Sequence, residues 1–327
     1  MDGSIARESA TLLLRRNLEL TMSKMINHTS LHRTAKFFMD TGQDASEQAA
    51  LARLKSFSLN VQVDARVAQS KNGQIALLTL VNLARRTMLG GVYVDVPDAP
   101  LRSNLVFGTG LHEAVSELGG GLTSGLSDNL PTILLGDSSY KSEKMPVWRL
   151  QWDGWRGGVV PTSGSGQITS ERAIPLAPAV AAAAAVGEAF EYFSGGHPLA
   201  GRRSSGISLW RPDAEWQEYD NSEPLLEFLP SKLWLIGLGN LGQAYSWLLA
   251  TLPFGDAPDT QIFLQDFDQL ALSNDSTSVL TTRSGIDQLK TRWVSRWLED
   301  RGFTTSLQER RFSENMQRLP DEPSVAL

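Results

Sequence analysis

The sequence predicts an α/β protein made of two Rossmann-like three-layer halves, the first degenerate and the second nucleotide-binding, preceded by N-terminal helices. Three observations predict it. Short apolar runs alternate with amphipathic helical stretches along most of the chain, a GxGxxG turn joins one run to a helix near 232–252, and an earlier strand–helix–strand series at 58–96 lacks that turn. The domains read as N-terminal helices at 1–57, a degenerate half at 58–210, a connector at 211–231 and a nucleotide-binding half at 232–327 that reads as truncated at its C-terminal end.

In order, residues 5–26 form a helix candidate with Leu12, Leu13, Leu14, Leu18, Leu20 and Met25 on one broad side and Arg15 and Arg16 among them. His28 and His32 have a spacing that a metal site can use, but no third ligand stands near, so the pair reads as ordinary histidines and no metal ligands are assigned. His112 and His197 are isolated. Residues 44–57 predict a second helix, with Ser46 as N-cap and Ala49, Leu51, Leu54 and Phe57 as its stripe. A strand over 59–65, a helix over 73–85 and a strand over 91–96 follow, and the turn between the first two, ARVAQSKNGQ, keeps only Gly73.

Residues 101–118 alternate short apolar and polar segments, Gly119 to Gly121 with Ser124 and Gly125 predict a flexible loop, and Thr132 to Leu135 a strand. Trp148, Trp152 and Trp155 read as core or loop anchors, with a binding groove as the other reading, and a Gly/Ser/Pro-rich loop follows at 157–169. Residues 176–193 give the clearest helix, whose alanines permit close packing and which Gly195-Gly196 ends. A short strand is expected at 207–210, then a polar connector with Pro212, Pro224 and Pro230.

The second half opens with a strand over 233–236 and a helix over 241–252. Between them Gly237 allows the sharp turn, Gly239 lets backbone approach a phosphate, and Gly242 lets the helix pack on the strand. The helix start offers N–H groups and a positive dipole end to an anion. The next strand, 261–265, ends at Asp266, about 24 residues past Gly242, where a ribose-binding carboxylate stands in dinucleotide folds. A helix over 286–299, a strand near 305–309 and an apolar stretch at 324–327 complete the chain.

The run DFDQLALSND, Asp266 to Asp275, resembles the DxDxxxxSN signature of the ThiF/MoeB and ubiquitin-activating-enzyme family, and Lys290 stands at the distance of that family's following lysine. The resemblance implies ATP binding, with Mg²⁺, and adenylation of the C-terminal carboxylate of a ubiquitin-like or sulphur-carrier protein. It places Asp266 on the ribose hydroxyls with Asp268 beside it, Asn274 at the phosphate or reacting centre, and Lys290 on the phosphates. Such charges are what the chemistry needs, because a carboxylate attacking an α-phosphate brings two anions together.

The resemblance also implies an inactive and an active adenylation half side by side, an alanine-rich helix at their interface, and an arginine supplied by the N-terminal helices, for which Arg15 and Arg16 are candidates. A bacterial ubiquitin-like conjugation or defence operon follows by the same analogy. Two features depart from the pattern. Thr277 stands where the SNxxRQ pattern has arginine, and the strand whose end would carry a Mg²⁺-binding aspartate stops at Leu327. A fragment of a longer enzyme, a conjugating partner or missing C-terminal segment, and a non-catalytic nucleotide- or partner-binding subunit are therefore carried as alternatives. An NAD-dependent oxidoreductase sharing GxGxxG and Asp266 is a further one, disfavoured by DxDxxxxSN and Lys290.

With 41% apolar and 20% charged residues the chain can bury a large core. Its net charge of −6 gives no general attraction to nucleic acid or anionic membrane, and neither partner is expected. The absence of cysteine excludes disulfides, zinc thiolates and a thioester on this polypeptide, leaving at most the adenylation step. No apolar run approaching about 18 residues is read as a membrane span, and the charged N-terminus carries no signal-peptide pattern, so the expectation is cytoplasmic.

Overall fold

The computed structural model describes residues 30–162, 169–218, 221–254 and 259–327. The expected helix at 5–26 with Arg15 and Arg16, His28, and residues 163–168 of the loop expected at 157–169 lie outside the described residues, whereas residues 157–161 of that expected loop are a strand paired on both sides.

Among the described residues helices α1 (Arg33–Asp40) and α2 (Glu47–Lys55) come first, α2 capped by Ser46 as its sequence predicts. Then follow β1 (Ser58–Val63), α3 (Ala65–Ala68), α4 (Lys71–Ala84), β2 (Gly91–Asp95), α5 (Leu111–Glu117), β3 (Gly121–Leu122) and β4 (Thr132–Leu135). The first half closes with β5 (Val147–Asp153), β6 (Arg156–Pro161), α6 (Leu176–Ser194) and β7 (Ser205–Ser208). The second half contains β8 (Lys232–Ile236), α7 (Asn240–Leu249), β9 (Gln261–Gln265), α8 (Lys290–Glu299) and β10 (Thr304–Gln308), with 3₁₀ turns at Leu272–Ser276 and Arg283–Gly285.

The fold is α/β with mostly parallel sheets. One sheet has the order β3-β2-β1-β4-β5-β6-β7, parallel as far as β5 and antiparallel across β5-β6-β7. The other has the order β10-β9-β8, all parallel, and the last residues extend it. Trp234 donates to Val325 O at 2.9 Å, Leu327 donates back to Trp234 O at 2.8 Å, and Ile236 donates to Leu327 O at 3.0 Å. Each half thus sets its first strand between its second and its fourth.

Local hydrogen bonds move several boundaries away from the sequence pattern. The strand expected to reach 65 stops at Val63, because the Asp64 carboxylate accepts the Val67 N–H at 2.7 Å and caps α3. Helix α4 starts before Gly73 because Ser70 accepts the Gly73 N–H at 2.9 Å. The alternating segments at 101–118 hold α5, and the stretch expected to be a flexible loop at 119–125 holds β3. The last helix starts at Lys290 and not at 286, since Asp287 takes a left-handed φ of 69° and residues 287–290 pair back onto 268–270. The strand expected at 207–210 is Ser205–Ser208. Trp148 and Trp152 are core residues, while Trp155 donates to Pro224 O at 2.7 Å and pins the connector.

A buried Gly-Gln pair recurs in the two halves. A Cβ on Gly73 would lie 2.1 Å from Val67 O, and one on Gly242 would lie 2.1 Å from Gly237 O, so each helix crosses its strand-end turn at glycine distance. Gln74 donates to Ala68 O at 2.9 Å and accepts Arg102 and Ser103 N–H, while Gln243 donates to Leu238 O at 3.2 Å and accepts Leu280 N–H. Both amides are fully buried and bind the helix to the segment that leaves the second strand.

Helix α6 packs on α4, β5 and β6, and across a cavity it faces the second half. Ala179, Val180 and Ala183 of α6 line an apolar cavity of about 180 Å³ with Leu83 of α4 and Ala244 and Trp247 of α7. This helix is long and apolar enough to cross a membrane by length and composition, contrary to the reading of its sequence, and half of that stretch is buried inside the protein. Across the seam Trp247 Nε1 donates to Thr79 Oγ1 at 3.0 Å and Asn82 donates to Val279 O at 3.1 Å. The Arg301 guanidinium lies 3.6 Å from the Trp297 ring centre and 4.6 Å from that of Phe107, and donates to Leu105 O at 2.8 Å.

Gly242→Ala therefore drives a methyl into backbone and is expected to cost about 1–3 kcal/mol. Gly187→Ala in α6, where a Cβ meets open space, is expected to gain up to about 1 kcal/mol. Urea unfolding midpoints of the two variants, moving in opposite directions, check the assignment.

Candidate functional site

The candidate site grows from the turn after β8. Ile236 is followed by Gly237 at φ 87°, a conformation that glycine adopts without strain, and its N–H donates to Gln265 O at 2.8 Å. The chain then enters α7 at Gly239, where no side chain caps the helix. A Cβ on Gly239 would meet nothing within 4 Å, so the backbone is open at this position. The third glycine, Gly242, serves the helix–strand contact.

Asp266 closes the turn from the neighbouring strand. It is 8% exposed, and its two oxygens accept Leu238 N–H at 2.7 Å and Asp268 N–H at 2.8 Å. Lys290, at the start of α8, is 8% exposed and holds Asp268 Oδ2 at 2.8 Å, with Asp266 Oδ2 at 3.8 Å. The turn, the two carboxylates and the ammonium thus form one connected cluster at the carboxyl ends of parallel strands, where ligands bind in open α/β sheets.

A cleft of about 340 Å³ opens beside the cluster, lined by Gly237, Gln265, Asp266 and Asp268 on one side and by Arg310, Arg311 and Phe312 on the other. The Arg311 guanidinium sits 4.3 Å from the Phe267 ring centre. Gln265 donates to Arg310 O at 3.2 Å, while its buried Oε1 has no hydrogen-bond partner. The Arg310–Phe312 wall escaped the sequence reading. Its only signal was position, directly after the strand beyond the acid-bearing one.

Asn274 is not among the residues lining that cleft. It is 4% exposed, and its Oδ1 accepts the Ala271 N–H at 2.8 Å, closing its own 3₁₀ turn. Thr277, in the expected arginine position, donates to Asn240 Oδ1 at 3.0 Å, and Ser278 donates to the same oxygen at 2.7 Å. Together they brace the first residue of α7. Among the described residues no three His, Cys, Asp or Glu side chains cluster as a metal cage.

Two family profiles match the chain, the BilD N-terminal domain over residues 58–209 and the BilD C-terminal domain over residues 229–327. A bacterial E1-like protein BilD from Collimonas sp. (strain OK412) is 48% identical over 307 residues, which are 94% of this chain and 67% of that protein. Among solved structures, E. coli MccB aligns with a TM-score of 0.36 at 10% identity, over 56% of this chain and 69% of its own. PaaA aligns with a TM-score of 0.33 at 14% identity, over 64% of this chain and 87% of its own.

His32 is a helix cap. Its Nδ1 accepts the Ala35 N–H at 3.3 Å, and its own N–H donates to Glu47. Burial holds its pKa below 6.5, against the opposing pull of Glu47 and Asp275. The unfolded chain therefore binds this proton more readily, so the contribution to stability is full above 6.5 and is lost as pH falls towards the folded value. His32→Asn keeps a capping side chain without a titrating group, and is expected to flatten the fall in unfolding free energy between about pH 7 and pH 5. Urea titrations of both proteins over that range measure the difference.

Proposed function

The chain belongs to the family of bacterial E1-like BilD proteins, and from that footing we propose that its second half binds ATP and adenylates the C-terminal carboxylate of a ubiquitin-like or sulphur-carrier protein. The observation that carries the reading is the single cluster of Gly237, Asp266, Asp268 and Lys290, in which the first three line one cleft and Lys290 joins them through Asp268. In it, phosphates take the open backbone at Gly239 and the uncapped start of α7, and Asp266 takes the ribose hydroxyls. The base lies along the wall of Arg311 and Phe312, beside the unpaired Gln265 Oε1.

Lys290 serves as the phosphate counter-charge by exchanging part of its contact with Asp268, whose side chain is half exposed and can turn outward. Asn274 acts as a positioning residue, since its side chain fixes the turn that leads into Thr277 and Ser278. Mg²⁺ on a nucleotide takes most of its ligands from phosphates and water, so the reading assigns it no protein cage. With no cysteine in this polypeptide, the activated carboxylate leaves as the acyl-adenylate or is passed to a thiol elsewhere.

A second reading is favoured by Thr277, which braces Asn240 and brings no positive charge. On that reading the chain binds nucleotide or a partner without chemistry. Both are tested by ATP–pyrophosphate exchange with purified ubiquitin-like carrier proteins, alongside direct ATP binding. Adenylation predicts exchange only with a carrier and only with Mg²⁺, and the second reading predicts ATP binding with no exchange. Gly239→Ala is the matching variant, because its methyl meets no protein atom but occupies the space of an approaching phosphate. It is expected to leave the unfolding midpoint unchanged and to weaken ATP binding about tenfold or more, a loss on the order of 1.4 kcal/mol. Unchanged affinity would remove the glycine turn from the proposal.

A further inference from the structure

A second cleft, of about 420 Å³, lies on the seam between the halves and shares no lining residue with the glycine turn. It is walled by His32 and Glu47 near the two leading helices, by Arg85 and Arg86 at the end of α4, and by Asp275 and Arg283 of the second half. Three guanidinium groups thus face two carboxylates. Both carboxylates are already engaged, Glu47 accepting the His32 N–H at 3.0 Å and Asp275 lying 3.5 Å from Arg85.

Arg86 is the telling side chain. It is 4% exposed, and one terminal nitrogen donates to Ser278 O at 2.9 Å and Thr281 O at 3.4 Å, while its Nε and its other terminal nitrogen find no acceptor. Arg85 Nε is likewise buried and unpaired. Burial, and after it the charge of Arg85, push the Arg86 pKa down to about 9. Buried guanidinium N–H groups without acceptors are costly, and an incoming anion supplies both the acceptors and the missing charge.

We propose that this seam cleft is a separate anion site that takes a phosphate-class oxyanion, inorganic phosphate or pyrophosphate. A carboxylate presents two oxygens on one edge. The donors here come from three side chains on both sides of the seam, and phosphate or pyrophosphate presents oxygens in several directions at once, a match for guanidinium forks. An occupant would tie α4 of the first half to the segment 275–283, which directly follows Asn274 and braces the start of α7. The inference stands on the seam side chains and does not depend on the adenylation reading.

The test is calorimetric titration of the full chain with sodium phosphate and with sodium pyrophosphate, without added metal. Saturable binding of one or both is expected, weakened about tenfold or more by Arg283→Ala and by Arg85→Ala. In Gly239→Ala, which alters only the glycine turn, the arginine-dependent binding is expected to persist. Arg283 is exposed and makes none of the Arg86 seam bonds, so its variant keeps the test open if Arg85→Ala unfolds, as circular dichroism would reveal. The proposal is overturned if neither anion binds saturably, or if binding responds to Gly239→Ala and ignores the arginine variants.

Discussion

The second half depends on one carboxylate. Asp266 accepts Leu238 N–H from the turn after β8 and Asp268 N–H from its own turn, with the Lys290 ammonium of α8 close by. Three segments far apart in sequence are thereby held at one point. The arrangement is expensive to leave incomplete, because a buried carboxylate without donors, or a buried N–H without an acceptor, costs a few kcal/mol. That expense is why the turn keeps an open shape, with Gly239 bare and α7 without a side-chain cap.

The first half supports this point from outside. It repeats the placement of first, second, third and fourth strands and the buried Gly-Gln pair, but a capped helical turn, α3, fills the place where the second half keeps an open glycine loop. What it supplies instead is backbone support across the seam. Asn82 and Arg86 donate to carbonyls at 278–281, Arg33 N–H reaches Ser276 Oγ at 3.0 Å, and Trp247 leans on Thr79. The segment that follows Asn274 is therefore fixed by residues of the other half, and its geometry is a property of the pair.

How much of this was legible in the sequence follows from the range of the interactions. The parallel strands at 232–236 and 261–265, the helix after Gly239 and the cap at Ser46 are written in local pattern, and they lie where the pattern puts them. The stop at Val63 and the late start at Lys290 were not legible, since one depends on whether Asp64 caps a helix or continues a strand, and the other on a return pairing with 268–270. The GQ dipeptide stands at both 73–74 and 242–243, but its meaning needs two buried amides that only the fold displays. Among the residues singled out beforehand, Gly237, Asp266 and Asp268 line the cleft and Lys290 grips Asp268, while Asn274 faces its own turn. The Arg310–Phe312 wall and the seam arginines carried no motif, because tertiary packing alone brings them into place.

The central claim is that the turn at Gly237–Gly239, the Asp266 carboxylate and the Lys290 ammonium serve a single nucleotide. A crystal structure of the chain with a non-hydrolysable ATP analogue tests it most directly. The account predicts a triphosphate on the exposed backbone of the glycine turn, ribose hydroxyls within hydrogen-bond distance of Asp266, and the base against Arg311 and Phe312. A nucleotide seated anywhere else, or a ribose turned away from Asp266, would contradict it.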